Sequence, residues 1–354
     1  MRRRLLVLAA ALVAGWVAWG LWALSARAPR PPPPPGEVRG AYHLHTTRSD
    51  GRGALDEVVR AARQAGLQFV VVTDHNVLTP GEQGYRDGLL VVQGSEVSAP
   101  YGHVVALGVP RELVKEERQR DAIGTIRALG GQAVLAHPFH PRRPFTRWSN
   151  DDWTGLEVVS NDSFWGLTLA RREYWRILEA LLALPWDPAR SALAFYHRPV
   201  EELRRYDEVA ARRPVPLLCA SDAHGYPSYR AAFEAFSMHL PLVLTGEAGA
   251  DARAVVAGLL DGRAFCVLDG LAPAAGVRLA AGPAGDRLEL AFSAPDPSRV
   301  RWLLFRDGSL AGEMAAGPGG ASFACAGRCA RGAWRAEGRR DGHDWIFTNP
   351  VRIE

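Results

Sequence analysis

The chain has 354 residues and a formal net charge of +4. Five arginines, Arg2, Arg3, Arg4, Arg27 and Arg30, fall in the first 35 residues with no acid among them, and without them the remainder carries −1. That near-neutral body excludes a charge-based argument for nucleic-acid binding, and a single lysine, Lys115, leaves little room for Schiff-base chemistry.

Leu5 to Leu24 is a run of 20 residues without a charge, long enough as a helix to cross roughly 30 Å of bilayer core. Arg2–Arg4 precede it and Trp19 and Trp22 lie near its far end, the arrangement of an anchor with its amino terminus in the cytoplasm. The alternative is a cleaved signal, with Ala26-Arg27-Ala28 as the cleavage site. The length favours an uncleaved anchor in residues 1–28. Either way the body is expected outside a bacterial cell membrane, held off it by a stiff proline-rich linker at 29–39. In such a compartment Cys325 and Cys329 can bridge locally, whereas Cys219 and Cys266 read as buried free thiols.

From residue 40 to about 270, apolar runs alternate with helical stretches. Strands are expected at 41–45, 69–73, 89–94, 104–107, 133–136, 156–159, 216–220 and 264–268. Helices are expected at 55–65, 123–129, 167–184, 200–211 and 251–260. Fully apolar strands in this alternation predict a mostly parallel α/β sheet, open or closed into a barrel. Residues 271–354 show short strand-like runs broken by Gly, Pro and Asp, which predicts a small all-β sandwich.

The chemistry sits where the strands end. His43, His45 and Asp50 follow the first, and Asp74-His75 the second. Glu96 ends the third, with His103 just beyond, and His137 and Asp222-x-His224 close two later ones. Parallel α/β folds place active sites at that end. Two residues apart on a strand, His43 and His45 point to one face, as do Asp222 and His224. Imidazole and carboxylate without thiolate suit zinc, manganese or iron. Nine donors exceed the needs of one ion, so two or three divalent ions are expected.

These motifs resemble the PHP (polymerase and histidinol phosphatase) domain: His43-Leu44-His45-Thr46 with Ser49-Asp50-Gly51, Thr73-Asp74-His75-Asn76, Glu96 with His103, Ala136-His137-Pro138, and Ser221-Asp222-Ala223-His224. The resemblance covers residues 40–270. It implies a distorted seven-stranded, TIM-like β/α barrel and a trinuclear site. His43, His45, Glu96 and Asp222 would hold one metal; Glu96, His103 and His137 a second; Asp50, His75 and His224 a third. Asp74 would orient a ligand imidazole. A metal-bound hydroxide held by Glu96, His103, His137 and Asp222 would be the nucleophile. Gly332-Ala333-Trp334-Arg335 and Trp345 to Pro350 look like the end of the carbaryl-hydrolase-like (CehA/McbA) branch.

The substrate expected is a small phosphate ester, with Arg142, Arg143, Arg147, His140 and His197 as candidate contacts and Trp148, Trp153 and Trp165 as candidate pocket walls. An ester, carbamate or amide hydrolase is the alternative within enzymes. A non-catalytic extracytoplasmic binding module is the alternative outside them.

Overall fold

The computed structural model describes residues 2–26, 30–149, 151–317 and 320–354. Arg27 and Ala28 of the cleavage-site reading, and the first linker residue, lie outside them. The chain runs α1 (Arg2–Ala26), β1 (Val38–Leu44), α2 (Leu55–Gln64), β2 (Phe69–Val72), β3 (Gly84–Arg86), β4 (Leu89–Ala99), β5 (Gly102–Leu107), α3 (Lys115–Ala128), β6 (Gln132–Leu135), β7 (Gly155–Ser160), α4 (Asn161–Ala170), α5 (Tyr174–Ala183), α6 (Pro188–Leu193), α7 (Val200–Ala210), β8 (Leu217–Ala223), α8 (Tyr229–Ala235), β9 (Ser237–Leu240), α9 (Ala248–Leu260) and β10 (Phe265–Val267). Eight strands follow: β11 (Ala275–Ala281), β12 (Arg287–Ser293), β13 (Val300–Arg306), β14 (Ser309–Gly317), β15 (Gly320–Ala324), β16 (Gly332–Arg340), β17 (His343–Thr348) and β18 (Val351–Ile353).

Seven strands close a barrel in the order β1, β2, β4, β5, β6, β7, β8 and back to β1. All neighbours are parallel except β5, which runs antiparallel to both β4 and β6. The period of two along a strand divides side chains between layers. Val70 and Val72 of β2 pack with Val58, Val59 and Ala62 of α2, while Phe69 and Val71 belong to the larger core. Both faces are therefore covered, which is why these strands read as unbroken apolar runs.

The helix expected over 167–184 is two helices. Arg172 adopts a left-handed backbone (φ 58°) between α4 and α5, a conformation no helix interior accommodates. The thiols expected to be free are a disulfide, Cys219–Cys266, with Cα atoms 6.1 Å apart. Barrel closure brings β8 beside the end of β10, and two buried thiols that meet in this way are within bridging distance. Cys325 and Cys329 are bridged as well.

The C-terminal strands are not set apart from the barrel. β9 pairs with the amino end of β1, β10 with β9, and β17 with β10, so one hydrogen-bonded sheet runs on through β16, β13 and β14. A second sheet, β11-β12-β15, joins through β14. Asn349 stitches the end of the chain to the barrel: its Oδ1 accepts from Leu217 N (2.6 Å) and its Nδ2 donates to the carbonyls of Leu217 and Ala264. Arg335 of β16 donates to both carboxylate oxygens of Asp207 on α7 (2.6 and 2.7 Å).

The proline stretch does not hold the body away from α1. Arg30, at its start, donates to the carbonyls of Ala65, Phe233 and Glu234 on the barrel wall. The second half of α1, from Trp16 to Gly20, lies against α5 and the segment after it. Trp16 Nε1 donates to Leu182 O (3.0 Å), and the Trp16 and Trp186 rings meet edge to face at 5.3 Å.

Candidate metal centre

The donors gather at one mouth of the barrel. His45 stands just past β1, His75 past β2, Glu96 in the second half of β4, and His137 past β6. Asp222 is the penultimate residue of β8, and His224 stands just beyond its end. His103 arrives differently: β5 is reversed, so its amino end reaches the same mouth.

A regular strand would carry His43 and His45 on one face. In fact β1 has a bulge between Tyr42 and Leu44, and His43 is left-handed (φ 62°). His137 and Asp222 also take positive φ. Bulges and strained residues re-aim side chains at working sites, and here His43 Nε2 and His45 Nε2 come to 3.2 Å.

Three overlapping donor groups form, each with its atoms within 4.8 Å: His43, His45, Glu96 and Asp222; His75, Glu96 and His103; and His45, Asp50, His75 and His224. The second contains His75 where the motif resemblance implied His137, and the third adds His45. His137 instead reaches Glu96 Oε1 through Nε2 at 2.8 Å, beside His103 Nδ1 at 2.6 Å. The first group is fully buried. Asp50, by contrast, leaves 55% of its side chain in solvent, with His75 and His224 between the two extremes.

One atom tests whether cations fit. Glu96 Oε2 is buried and accepts no hydrogen bond. Yet His43 Nε2, His45 Nε2 and His75 Nδ1 stand 3.2, 3.2 and 3.1 Å from it. A buried carboxylate oxygen without a proton donor is costly. Ringed by imidazole nitrogens, it is the environment a divalent cation satisfies.

The electrostatics agree. Burial pushes the Glu96 carboxyl up, but the His43 charge and hydrogen bonds from His103 and His137 hold it well below the usual range. Burial opposes charge on His43, and Glu157, Glu96 and Asp222 overcome it. His137 and His224 are lifted to about 9 against burial, by the hydrogen bonds to Glu96 and Asp50 respectively. Within the cluster His103 is lowered, because burial dominates there. Protons thus neutralise the carboxylates, and cations taking these nitrogens would release them.

The carboxylate that orients ligand imidazole is Glu157 of β7, which the sequence reading missed. Its Oε1 accepts from His43 Nδ1 (2.8 Å), and its Oε2 accepts from the His137 backbone N–H (2.8 Å). Asp74 does something else. It accepts from Thr46 N, Thr46 Oγ1 and Ser49 Oγ, so it fixes the 46–49 loop and touches no imidazole.

A cavity of about 640 Å³ opens over the cluster. Arg142, Arg143 and His140 line it, and Arg143 lies 3.4 Å from His103 Nε2. His140 pairs with Asp162 (3.1 Å). His197 is not at this cavity: it is buried against Thr168, Arg171 and Glu173, a packing role. Arg147 is also elsewhere, paired with Asp121 and stacked on Tyr101. Of the three tryptophans only Trp165 lines the cavity; Trp148 and Trp153 pack under Arg205 and Arg213. Ile177, Ala180, Leu181 and Leu184, from α5 and just after it, form an apolar part of the wall to which no motif pointed.

Taken together, this histidine–carboxylate cluster at the mouth of a closed α/β barrel fits a metal-dependent hydrolase. No family model matches the chain. It is 28% identical over 88 residues, 24% of this chain, to an uncharacterized protein of Methanocaldococcus jannaschii, of which the match spans 52%. It is 31% identical over 64 residues, 18% of this chain, to 11% of the DNA polymerase/3'-5' exonuclease PolX of Bacillus subtilis. The chain therefore spans about half the length of the first relative and about a tenth of the second. Among solved structures it is similar to a two-domain protein of Bacteroides vulgatus containing a predicted PHP-like metal-dependent phosphoesterase. That likeness has 13% identity and a TM-score of 0.39, and covers 92% of this chain and 100% of the other.

Proposed function

We propose that the protein is a phosphoesterase of the PHP type, using two or three divalent ions held by His43, His45, Asp50, His75, Glu96, His103, His137, Asp222 and His224. The observation that carries the reading is Glu96 Oε2, buried without a hydrogen bond amid three imidazole nitrogens. When bound, such ions activate water at neutral pH and offset the charge that builds on the phosphoryl oxygens. Arg143 supports a phosphate substrate. A guanidinium 3.4 Å from a donor imidazole is repelled by any cation gathered there, unless an anion stands between them.

The chain's own groups divide the work. Glu157 holds His43 and His137 in place. Asp74 and Thr46 keep the loop bearing Asp50 closed. Arg142 and Arg143 bind anionic oxygens at the mouth. His140 accepts the Arg142 backbone N–H at Nδ1 and faces Asp162 through Nε2, which fixes the ring and the Arg142 backbone at the cavity wall. The apolar helix α1, long enough to cross a bilayer, anchors the body to the membrane in this reading.

The test is a hydrolysis panel on the full chain with added manganese or zinc, against p-nitrophenyl phosphate, its bis ester, nucleotides and aryl carbamates. Phosphoester turnover that chelator and His45→Ala both abolish is expected. Turnover of carbamates alone moves the assignment to the ester and carbamate class, and no turnover of any substrate refutes the enzyme.

A further inference from the structure

α5 is an unusual helix for a water-facing surface. Of its ten residues only Ala180 and Ala183 are buried. Tyr174, Trp175, Leu178, Leu181 and Leu182 are all exposed, Leu181 by 62%, and Leu169 and Trp165 of α4 extend the apolar surface. Exposed apolar patches of this kind mark contact with a membrane or a partner.

Two neighbours identify the occupant. On one side, Trp175, Leu178 and Leu182 flank the groove where Trp16 and Trp19 of α1 lie, with Arg190 stacked over Trp19. α1 is the one helix among the described residues long and apolar enough to cross a bilayer. With the second half of α1 in lipid, α5 beside Trp16 and Trp19 lies at the boundary of headgroups and acyl chains, and its exposed leucines and aromatics meet lipid. On the other side, Ile177, Ala180, Leu181 and Leu184 line the cavity that holds Glu96, His103, His137 and Arg143. One helix therefore connects the membrane-spanning segment to the donor cluster through a continuous apolar face.

We infer that α4 and α5 dock on the membrane and that the substrate is a lipid phosphate ester drawn from it. Its phosphate sits at Arg143 and the donors, and its acyl chains lie along Leu181 and Trp165. The inference rests on the phosphoesterase reading for its chemistry. Water adds to phosphorus, the bond from phosphorus to the ester oxygen breaks, and that oxygen leaves protonated as an alcohol. The docking itself rests only on α5 and α1.

The experiment uses the full chain, metal-loaded and reconstituted into phosphatidylcholine vesicles. The vesicles carry dioleoyl phosphatidic acid or phosphatidylglycerol, and the dihexanoyl forms are supplied in solution for comparison. Products are followed by mass spectrometry. The long-chain lipids are expected to be cleaved faster, and Leu178→Glu, outside the cavity, to lower vesicle turnover by about tenfold while sparing bis-p-nitrophenyl phosphate. Equal rates on the two chain lengths, or no effect of Leu178→Glu, overturn the proposal. A second measurement is independent of activity and of that variant's folding. Lipids brominated in their acyl chains should quench the wild type more than Trp175→Phe. Equal quenching overturns the docking even if hydrolysis is found. A homodimer that covers α5 and leaves Trp175 unquenched overturns it too. Quenching without hydrolysis of any ester overturns the substrate assignment and leaves the docking supported.

Discussion

Glu157→Gln isolates what a single buried carboxylate does for the cluster. Glu157 is 1% exposed, and each of its oxygens has one job, at His43 Nδ1 and at the His137 N–H. Glutamine keeps the volume but has one acceptor and one donor end. If its oxygen stays on the His137 N–H, its amide faces His43 Nδ1. The imidazole proton must then move to Nε2, the nitrogen that points at Glu96 and Asp222, and a protonated nitrogen cannot be a ligand. If the amide turns over, two N–H donors face each other in the interior, at a cost of about 1–3 kcal/mol. Either outcome amounts to roughly a ten- to hundredfold loss of metal affinity, the scale known for partners that orient ligand histidines. Calorimetric titration of chelator-stripped full chain with zinc or manganese reads it directly, with thermal melting as the check on folding. An affinity within about twofold of wild type, in a protein where His43→Ala abolishes binding, would refute the role given to Glu157.

Other predictions follow from groups away from the cluster. Burial lifts the Glu202 carboxyl to about 7, so the folded state holds a proton that the unfolded chain releases above its ordinary 4.5. The penalty is absent below about 4.5 and complete above about 7; Glu202→Gln should stabilise by about 2–3 kcal/mol near pH 8 and be neutral near pH 4, and equal melting shifts at both would contradict this. Non-reducing peptide mapping should recover the Cys219–Cys266 link, and its reduction should cost about 4 kcal/mol for a separation of 47 residues; recovery of both thiols free refutes the pairing. Arg335→Ala leaves buried Asp207 without its guanidinium and Glu337 with Arg198 alone, and should lower stability in urea by about 3–5 kcal/mol; a loss under about 1 kcal/mol would show that the Asp207 pair is dispensable.

The sequence alone determined the local chemistry. Apolar runs of strand length announced the barrel strands, because a strand buried on both faces must be apolar throughout. The residues just after them announced the donors, because few local patterns deliver imidazole and carboxylate so regularly where strands end. Only the tertiary structure decided how distant positions meet. Glu157 is one glutamate in the apolar run Leu156 to Val159, and nothing nearby says that β7 will place it under His43, 114 residues away. The reversal of β5 comes from its tight hairpin with β4, while the exchange of His75 for His137 in one donor group and the Cys219–Cys266 bridge depend on which distant strand ends meet. The leading helix was legible as a span, but its seat against α5 depends on a helix break at Arg172. A left-handed residue flanked by helix-forming ones leaves no periodic signal. Periodicity reports which face a residue takes within its own element, and contact between elements depends on closure, which no short window of sequence contains.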